Sequence, residues 1–253
     1  MQSGSSSVLK RMRRLYTREA YIELVNMIRE KIPKIAFSSD FISGFCGETE
    51  EEFNDTLSLI ELIKYDMAFL FSYSMRDKTH AYHNFKDDVT PDIKAERLKR
   101  MINIFKENQI FLNKKEIESY HLVLVEGNGK KQNQLFGKTD TNKNVVFFNN
   151  EVSTSLTEFL KQDSNKNFIE NNFQSLFTEP EKYKDFYETS KKENINLGEY
   201  VIVKVNDVSH NTLYGTPVCK TEFKDFFRIS KNEPFFRLNY DKNTIFNNYV
   251  EKI

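Results

Sequence analysis

Residues 1–118 alternate between apolar patterns of helical and of strand period. A short basic helix, Val8 to Arg14, comes first. Thr17 then offers an N-cap to a longer helix with Tyr21, Leu24, Val25, Ile28 and Ile32 at helical spacing, which Pro33 stops. Ile35 to Ser43 reads as a buried strand that ends in the turn Gly44-Phe45-Cys46-Gly47. Thr49-Glu50-Glu51-Glu52 is a capping box, and the helix behind it shows Phe53, Leu57, Ile60 and Ile63 on one face. Met67 to Tyr73 is a second apolar strand. Thr90-Pro91 opens a long helix carrying Ile93, Leu98, Met101, Ile102 and Phe105. Strands this apolar predict a parallel sheet covered by helices, in an α/β fold. Two strands make only part of one.

Near residue 120 the pattern changes. His121 to Val125, Gln134 to Lys138 and Asn144 to Phe148 are short strands separated by turn signals at Gly127-Asn128-Gly129 and Asp140-Thr141-Asn142. Tyr200 to Val205 and a short stretch near Leu213 follow. Five short strands predict a small antiparallel β-barrel over residues 119–218. A polar insertion, 149–196, interrupts it, with room for a helix around Phe159 or Tyr183. The Phe- and Asn-rich tail, 219–253, has no assigned role.

Composition narrows the classes. Of 253 residues, 39% are hydrophobic, and the mean hydropathy of −0.61 says that part of the chain packs poorly. Thirty-seven basic residues balance 37 acidic ones, so a nucleic-acid footprint would have to be local. No apolar run has the length of a membrane span, and the N-terminal residues carry no signal-peptide core. Cys46 and Cys219 are the two cysteines, too few for a disulfide framework or a four-thiolate metal site.

The candidate chemistry is sparse. Gln2 to Ser7 leads into a helix start, and Lys10, Arg11, Arg13 and Arg14 form a basic cluster that suits phosphate. Asp40 is a polar residue inside a strand expected to be buried. The glycine-rich turn after it lies at the strand's C-terminal end, where α/β folds place ligands. Ser74-Met75-Arg76 occupies the same end of the next strand. Gly127-Asn128-Gly129-Lys130-Lys131 lacks the spacing of a P-loop and reads as an exposed basic turn. His80, His83 and His121 do not make a zinc set, and no serine sits in a nucleophile elbow.

Three stretches resemble a known family. Gln2-Ser3-Gly4-Ser5 through Arg11-Met12-Arg13-Arg14, Ser39-Asp40-Phe41-Ile42-Ser43-Gly44-Phe45-Cys46-Gly47-Glu48, and Phe71-Ser72-Tyr73-Ser74-Met75-Arg76 look like the MiaB-type radical S-adenosylmethionine methylthiotransferases. Val123 to Gly127, Gly137-Lys138-Thr139-Asp140 and Gly198-Glu199-Tyr200-Val201 resemble their TRAM domain. The variants Gly-Phe-Cys-Gly-Glu and Tyr-Ser-Met-Arg point to the branch of eukaryotic organelles, mitochondrion or plastid, associated by name with a cyclin-dependent-kinase regulator.

The resemblance implies the C-terminal part of a TIM-like radical barrel followed by an OB-like RNA-binding module. It implies an enzyme that attaches a methylthio group to a prenylated adenosine beside the tRNA anticodon, with S-adenosylmethionine and two 4Fe–4S clusters as cofactors. The cluster-binding cysteine triad is absent from this chain, so the resemblance places it in an upstream half and leaves these residues inactive alone. Gln2, Ser3, Asp40, Gly44, Ser74 and Arg76 would line the S-adenosylmethionine pocket. Arg11, Arg13, Lys130, Lys131, Lys138 and Lys143 would meet RNA, with Phe136, Phe147 and Phe148 as stacking platforms. The alternative is a non-catalytic RNA-binding protein derived from the same family.

Overall fold

The computed structural model describes residues 1–33, 35–153, 181 and 192–223. The chain divides into two compact units, Met1–Leu112 and Asn113–Ile253.

The first unit is built on two parallel strands, β1 (Ser38–Ser43) and β2 (Met67–Ser72), paired in register from Ser38↔Met67 to Ser43↔Ser72. Five helices surround the connections: α1 (Ser6–Arg11), α2 (Arg18–Lys31), α3 (Glu50–Ile63), α4 (His80–Asn84) and α5 (Pro91–Lys114). The capping box at the start of α3 forms as read, with Glu52 N–H donating to the Thr49 hydroxyl at 3.2 Å and Thr49 N–H donating to Glu52 at 3.0 Å. The Thr17 hydroxyl caps α2 by accepting from Ala20 N–H, without a reciprocal bond. The core joins Val25, Phe41, Phe53, Ile60, Tyr65 and Met101, from three helices and the sheet.

Here the sequence expectation needs correcting. The strands are covered on one face only. Phe41 is fully buried, whereas Phe69 and Phe71 are about half exposed, at 53% and 51%. Asp40 is exposed too, since it alternates with the buried Ser39 and Phe41 and therefore points to the open face. Leu24 and Ile93 on their helices, and Ile32 at the C-cap of α2, likewise remain exposed.

The second unit closes a sheet on itself. Its strands are β3 (Tyr120–Asn128), β4 (Gln134–Thr139), β5 (Asn144–Phe148), β6 (Val152–Ser153), β7 (Lys192–Glu193), β8 (Tyr200–Val208) and β9 (Thr212–Thr221). The order β5-β4-β3-β8-β9 returns to β5 through a pairing of β5 with β9 from Asn144↔Thr212 to Phe147↔Gly215. That last pairing is parallel, so the barrel is mixed rather than antiparallel throughout. Val123, Val125, Leu135, Val145, Phe147, Val201, Val203, Val205 and Leu213 fill it. Alternation along every strand sends these side chains inward. β9 runs to Thr221, well beyond the short segment expected around Leu213. The insertion leaves and returns side by side, with Val152 opposite Glu193. The helix expected around Phe159 or Tyr183 and the tail from residue 224 lie outside the described residues.

Among the described residues, no helix is long and apolar enough to cross a membrane.

Candidate functional site

The first unit carries a cleft of about 230 Å³ at the C-terminal ends of β1 and β2. Its walls are Met12, Ile42, Phe45, Tyr73 and Ala81, and its polar groups come from Gln2, Arg11, Arg13, Arg76, Thr79 and His80. Each arrives there for a local reason. Met1-Gln2 runs alongside β1, with Ile42 N–H donating to the Gln2 carbonyl at 2.9 Å and the Ser39 hydroxyl donating to the Met1 carbonyl at 2.9 Å. Ile42 points to the open face of the sheet. Phe45 packs edge-on against Tyr73, their centroids 4.8 Å apart, in a small cluster with Val8 and Cys46. Thr79 caps α4, accepting from Tyr82 N–H at 3.2 Å and donating to the Arg76 carbonyl at 2.7 Å.

The turn that presents Phe45 is anchored from below. Gly44 has φ +74°, and a Cβ there would collide with the Lys94 side chain, so two independent constraints select glycine. The Glu48 carboxylate accepts from Gly44 N–H at 2.6 Å and from Arg97 at 2.9 Å, and Arg97 also donates to the Glu48 carbonyl at 3.0 Å. Both side chains are buried, at 0% and 6% exposure. Burial pushes the Glu48 carboxyl above its ordinary range, against the opposing pull of Gly44 N–H and Arg97. Lys94 pairs with Asp87 at 2.6 Å, and its ammonium sits 5.3 Å over the Tyr73 ring.

The basic cluster is divided by partners. Arg11 forms a fork with Glu52, at 2.9 and 2.7 Å, which with the Ser7 hydroxyl and Thr49 N–H holds that carboxyl down to about 2. Arg14 donates to the Gln2 side chain at 3.0 Å. Arg13 and Arg76 are exposed at the rim.

Of the six residues expected at the S-adenosylmethionine pocket, Gln2 and Arg76 line the cleft. Gly44 shapes the turn from beneath. Ser3 is fully buried with its hydroxyl 3.1 Å from that of Thr56, so it is turned away from the cleft. Asp40 and Ser74 are exposed and are not among the lining residues. Arg11 and Arg13, expected to meet RNA, line this same cleft. Sequence reasoning missed Met12, Ile42, Phe45, Tyr73, Thr79, His80 and Ala81 as lining residues. The ligand-placing rule for strand ends would have pointed to Ile42 and Tyr73 had the alternation been followed along each strand.

On the barrel, Lys130 and Lys131 are exposed in the β3–β4 turn and Lys138 is half-buried on β4. Lys143 differs. Its side chain is 8% exposed and its ammonium donates to Asn113 at 2.9 Å, with Glu116 at 3.8 Å, so it faces inward and is a poor phosphate contact. The three phenylalanines also separate. Phe147 is buried in the core, 1% exposed, which removes it as a platform. Phe148 is 48% exposed, and Phe136 lies over Gly127, where any Cβ would strike its ring. Tyr214, exposed on β9, joins the same row through the pairings Phe136↔Val146 and Val146↔Tyr214.

Both cysteines are buried, and burial raises both thiols, that of Cys219 to about 12. An iron–sulfur cluster is held by thiolates, so these two residues do not fit one. Among the described residues no group of three or more histidine, cysteine or acidic side chains could hold a metal ion.

Residues 1–60 match the Radical SAM superfamily, a segment that includes Gln2, Arg11, Met12, Arg13, Ile42 and Phe45 of the cleft. The chain is 41% identical over 225 residues to the mitochondrial tRNA methylthiotransferase CDK5RAP1 of Homo sapiens, covering 88% of this chain and 32% of that protein. It is 38% identical over 234 residues to a CDK5RAP1-like protein of Oryza sativa subsp. japonica, covering 92% and 34%. Against the tRNA-2-methylthio-N(6)-dimethylallyladenosine synthase of Clostridium tetani it is 46% identical over 152 residues, covering 60% and 33%. The chain therefore spans about a third of the length of these relatives. The resemblance read from the three motifs is borne out: residues 1–60 match the Radical SAM superfamily, and most of the chain is similar to part of proteins named tRNA methylthiotransferases.

Proposed function

We propose that this chain is part of a tRNA methylthiotransferase that modifies an N6-prenylated adenosine beside the anticodon. The observation that carries this reading is the strand-end cleft, with apolar walls and a basic rim, formed largely within the segment that matches the Radical SAM superfamily. Ile42 and Phe45 supply a surface for the adenine of S-adenosylmethionine, and Gln2 and Thr79 supply hydrogen-bonding groups beside it. When bound, S-adenosylmethionine contributes the methyl and radical chemistry. The residues here orient it and exclude water. The buried Glu48–Arg97 pair holds the Phe45 wall in place. The 4Fe–4S clusters, and the thiolates that hold them, belong in this reading to an upstream half of the same enzyme.

The second unit is proposed as a TRAM-type, OB-like module that grips tRNA. Its support is the closed five-strand order with one parallel pair, the row of half-buried Phe136 with exposed Tyr214 and Phe148, and the lysines of the β3–β4 turn. An organellar setting follows from the relatives named mitochondrial.

Titration calorimetry of the full chain with S-adenosylmethionine tests the cleft. Ile42→Ser is expected to weaken binding about tenfold by removing an apolar contact of roughly 1.5 kcal/mol. An unchanged affinity in Ile42→Ser and Gln2→Ala would overturn the assignment.

A further inference from the structure

Two arginines at the cleft mouth are left without partners. Arg11 is neutralised by Glu52, Arg14 is held by Gln2, and Arg18 is held by Gly4, Asp55 and Ser58. Among the described residues, neither the Arg13 nor the Arg76 guanidinium makes a hydrogen bond or ion pair. They come from different elements, Arg13 from the end of α1 and Arg76 from the segment after β2, yet both line the same cleft.

The backbone at Arg13 adds a second observation. Helix α1 ends in a Schellman arrangement, with Arg14 N–H donating to the Leu9 carbonyl at 2.8 Å and Arg13 N–H donating to that of Lys10 at 3.0 Å. The left-handed residue of that motif is ordinarily glycine, and here it is Arg13 at φ 58°. An L side chain in this region is strained, a cost that glycine would avoid. The arginine placed there lines the cleft.

We propose that Arg13 and Arg76 clamp a phosphodiester of the RNA strand that crosses the cleft mouth. This rests on the reading of the cleft as a nucleoside pocket and of tRNA as substrate. Both guanidinia are exposed while the walls behind them are apolar, so the charge lies on the outer edge. A polyanion passing over the mouth meets that arrangement better than the enclosed carboxylate of a small ligand. The planar fork of arginine also suits two phosphate oxygens.

The test uses the full chain, a synthetic RNA stem-loop with adenosine following the anticodon, and S-adenosylmethionine as a separate ligand. Arg13→Gln and Arg76→Gln are each expected to weaken RNA binding about tenfold and to lower the salt slope by about one, with S-adenosylmethionine affinity falling far less than RNA affinity. Arg13→Lys and Arg76→Lys should restore the salt slope but only part of the affinity. Lys99→Gln, an exposed site on α5, should change neither. Loss of S-adenosylmethionine binding with RNA binding intact would overturn the clamp and make these arginines carboxylate holders. No change in either ligand would also overturn it. If Lys130→Ala and Lys131→Ala weaken the RNA complex while the arginine variants do not, the clamp fails and the tRNA reading stands. If the wild-type chain binds no stem-loop, both fail.

Discussion

Arg97 on α5 reaches the Glu48 carboxylate with a 2.9 Å hydrogen bond, both side chains almost wholly out of water, and Glu48 in turn holds Gly44 N–H. Removing one member of such a pair strands the other charge. Arg97→Met is expected to destabilise the first unit by about 3–5 kcal/mol in urea unfolding. The double variant Glu48→Gln with Arg97→Met should recover much of that loss. Equal stability of the single and double variants would show that the charge pair is not what holds the turn.

The same turn predicts an effect at Gly44. Alanine there meets both a positive φ and the Lys94 side chain. The backbone component alone costs about 1 kcal/mol, and displacement of Lys94 adds to it. Gly44→Ala should lower the thermal midpoint, whereas Gly47→Ala, equally positive in φ but open to space, should lower it by the smaller backbone component only.

Glu52 sets an acid limit. Its carboxyl is held down to about 2 from 4.5, chiefly by Arg11. A depressed folded-state value stabilises above the unfolded pKa and fades as pH falls toward the folded one. The contribution, up to about 3 kcal/mol, is therefore complete above pH 4.5 and lost on descent toward pH 2. Unfolding free energies measured over that window should show a steeper slope for wild type than for Glu52→Gln. Matching slopes would remove Glu52 as the cause.

Adjacent phenylalanines on β5 should separate stability from binding. Phe147→Ala empties a core position and should cost about 3–5 kcal/mol, while Phe148→Ala should cost little. On the TRAM reading the RNA assay should reverse the order, with Phe148→Ala losing about 1–3 kcal/mol of binding. RNA affinity indifferent to Phe148, Phe136 and Tyr214 together would remove this surface as the platform.

Lys143 is predicted to act on stability alone. Lys143→Ala should unfold more readily without altering the salt dependence of RNA binding, because its ammonium is bonded to Asn113. Lys130→Ala and Lys131→Ala should each lower the salt slope by about one and leave unfolding unchanged.

Much of this architecture was legible in the chain. The Thr49–Glu52 capping box, the Pro91 helix start and the β5 strand are local events, written in a few adjacent residues and formed as read, whereas β3 runs on through Gly127 and Asn128, which the sequence marked as a turn. The motifs likewise marked the segments that make the cleft. Single residues within those motifs were less certain, since a motif fixes where the backbone goes and not where each side chain points. Ser3 and Arg11 lie in one run, yet Ser3 turns to Thr56 and Arg11 to Glu52, partners 53 and 41 positions away.

The sequence by itself determined the periodicities, the caps, the turn glycines and the family likeness, because each depends on short-range backbone preference or on matched runs of residues. Tertiary structure alone decided which face of β1 and β2 stays open, that β5 pairs with β9 to close the barrel, and that Lys143 is inward while Lys130 is outward. Those outcomes depend on contacts between residues far apart in the chain, whose energies exist only once the elements have met.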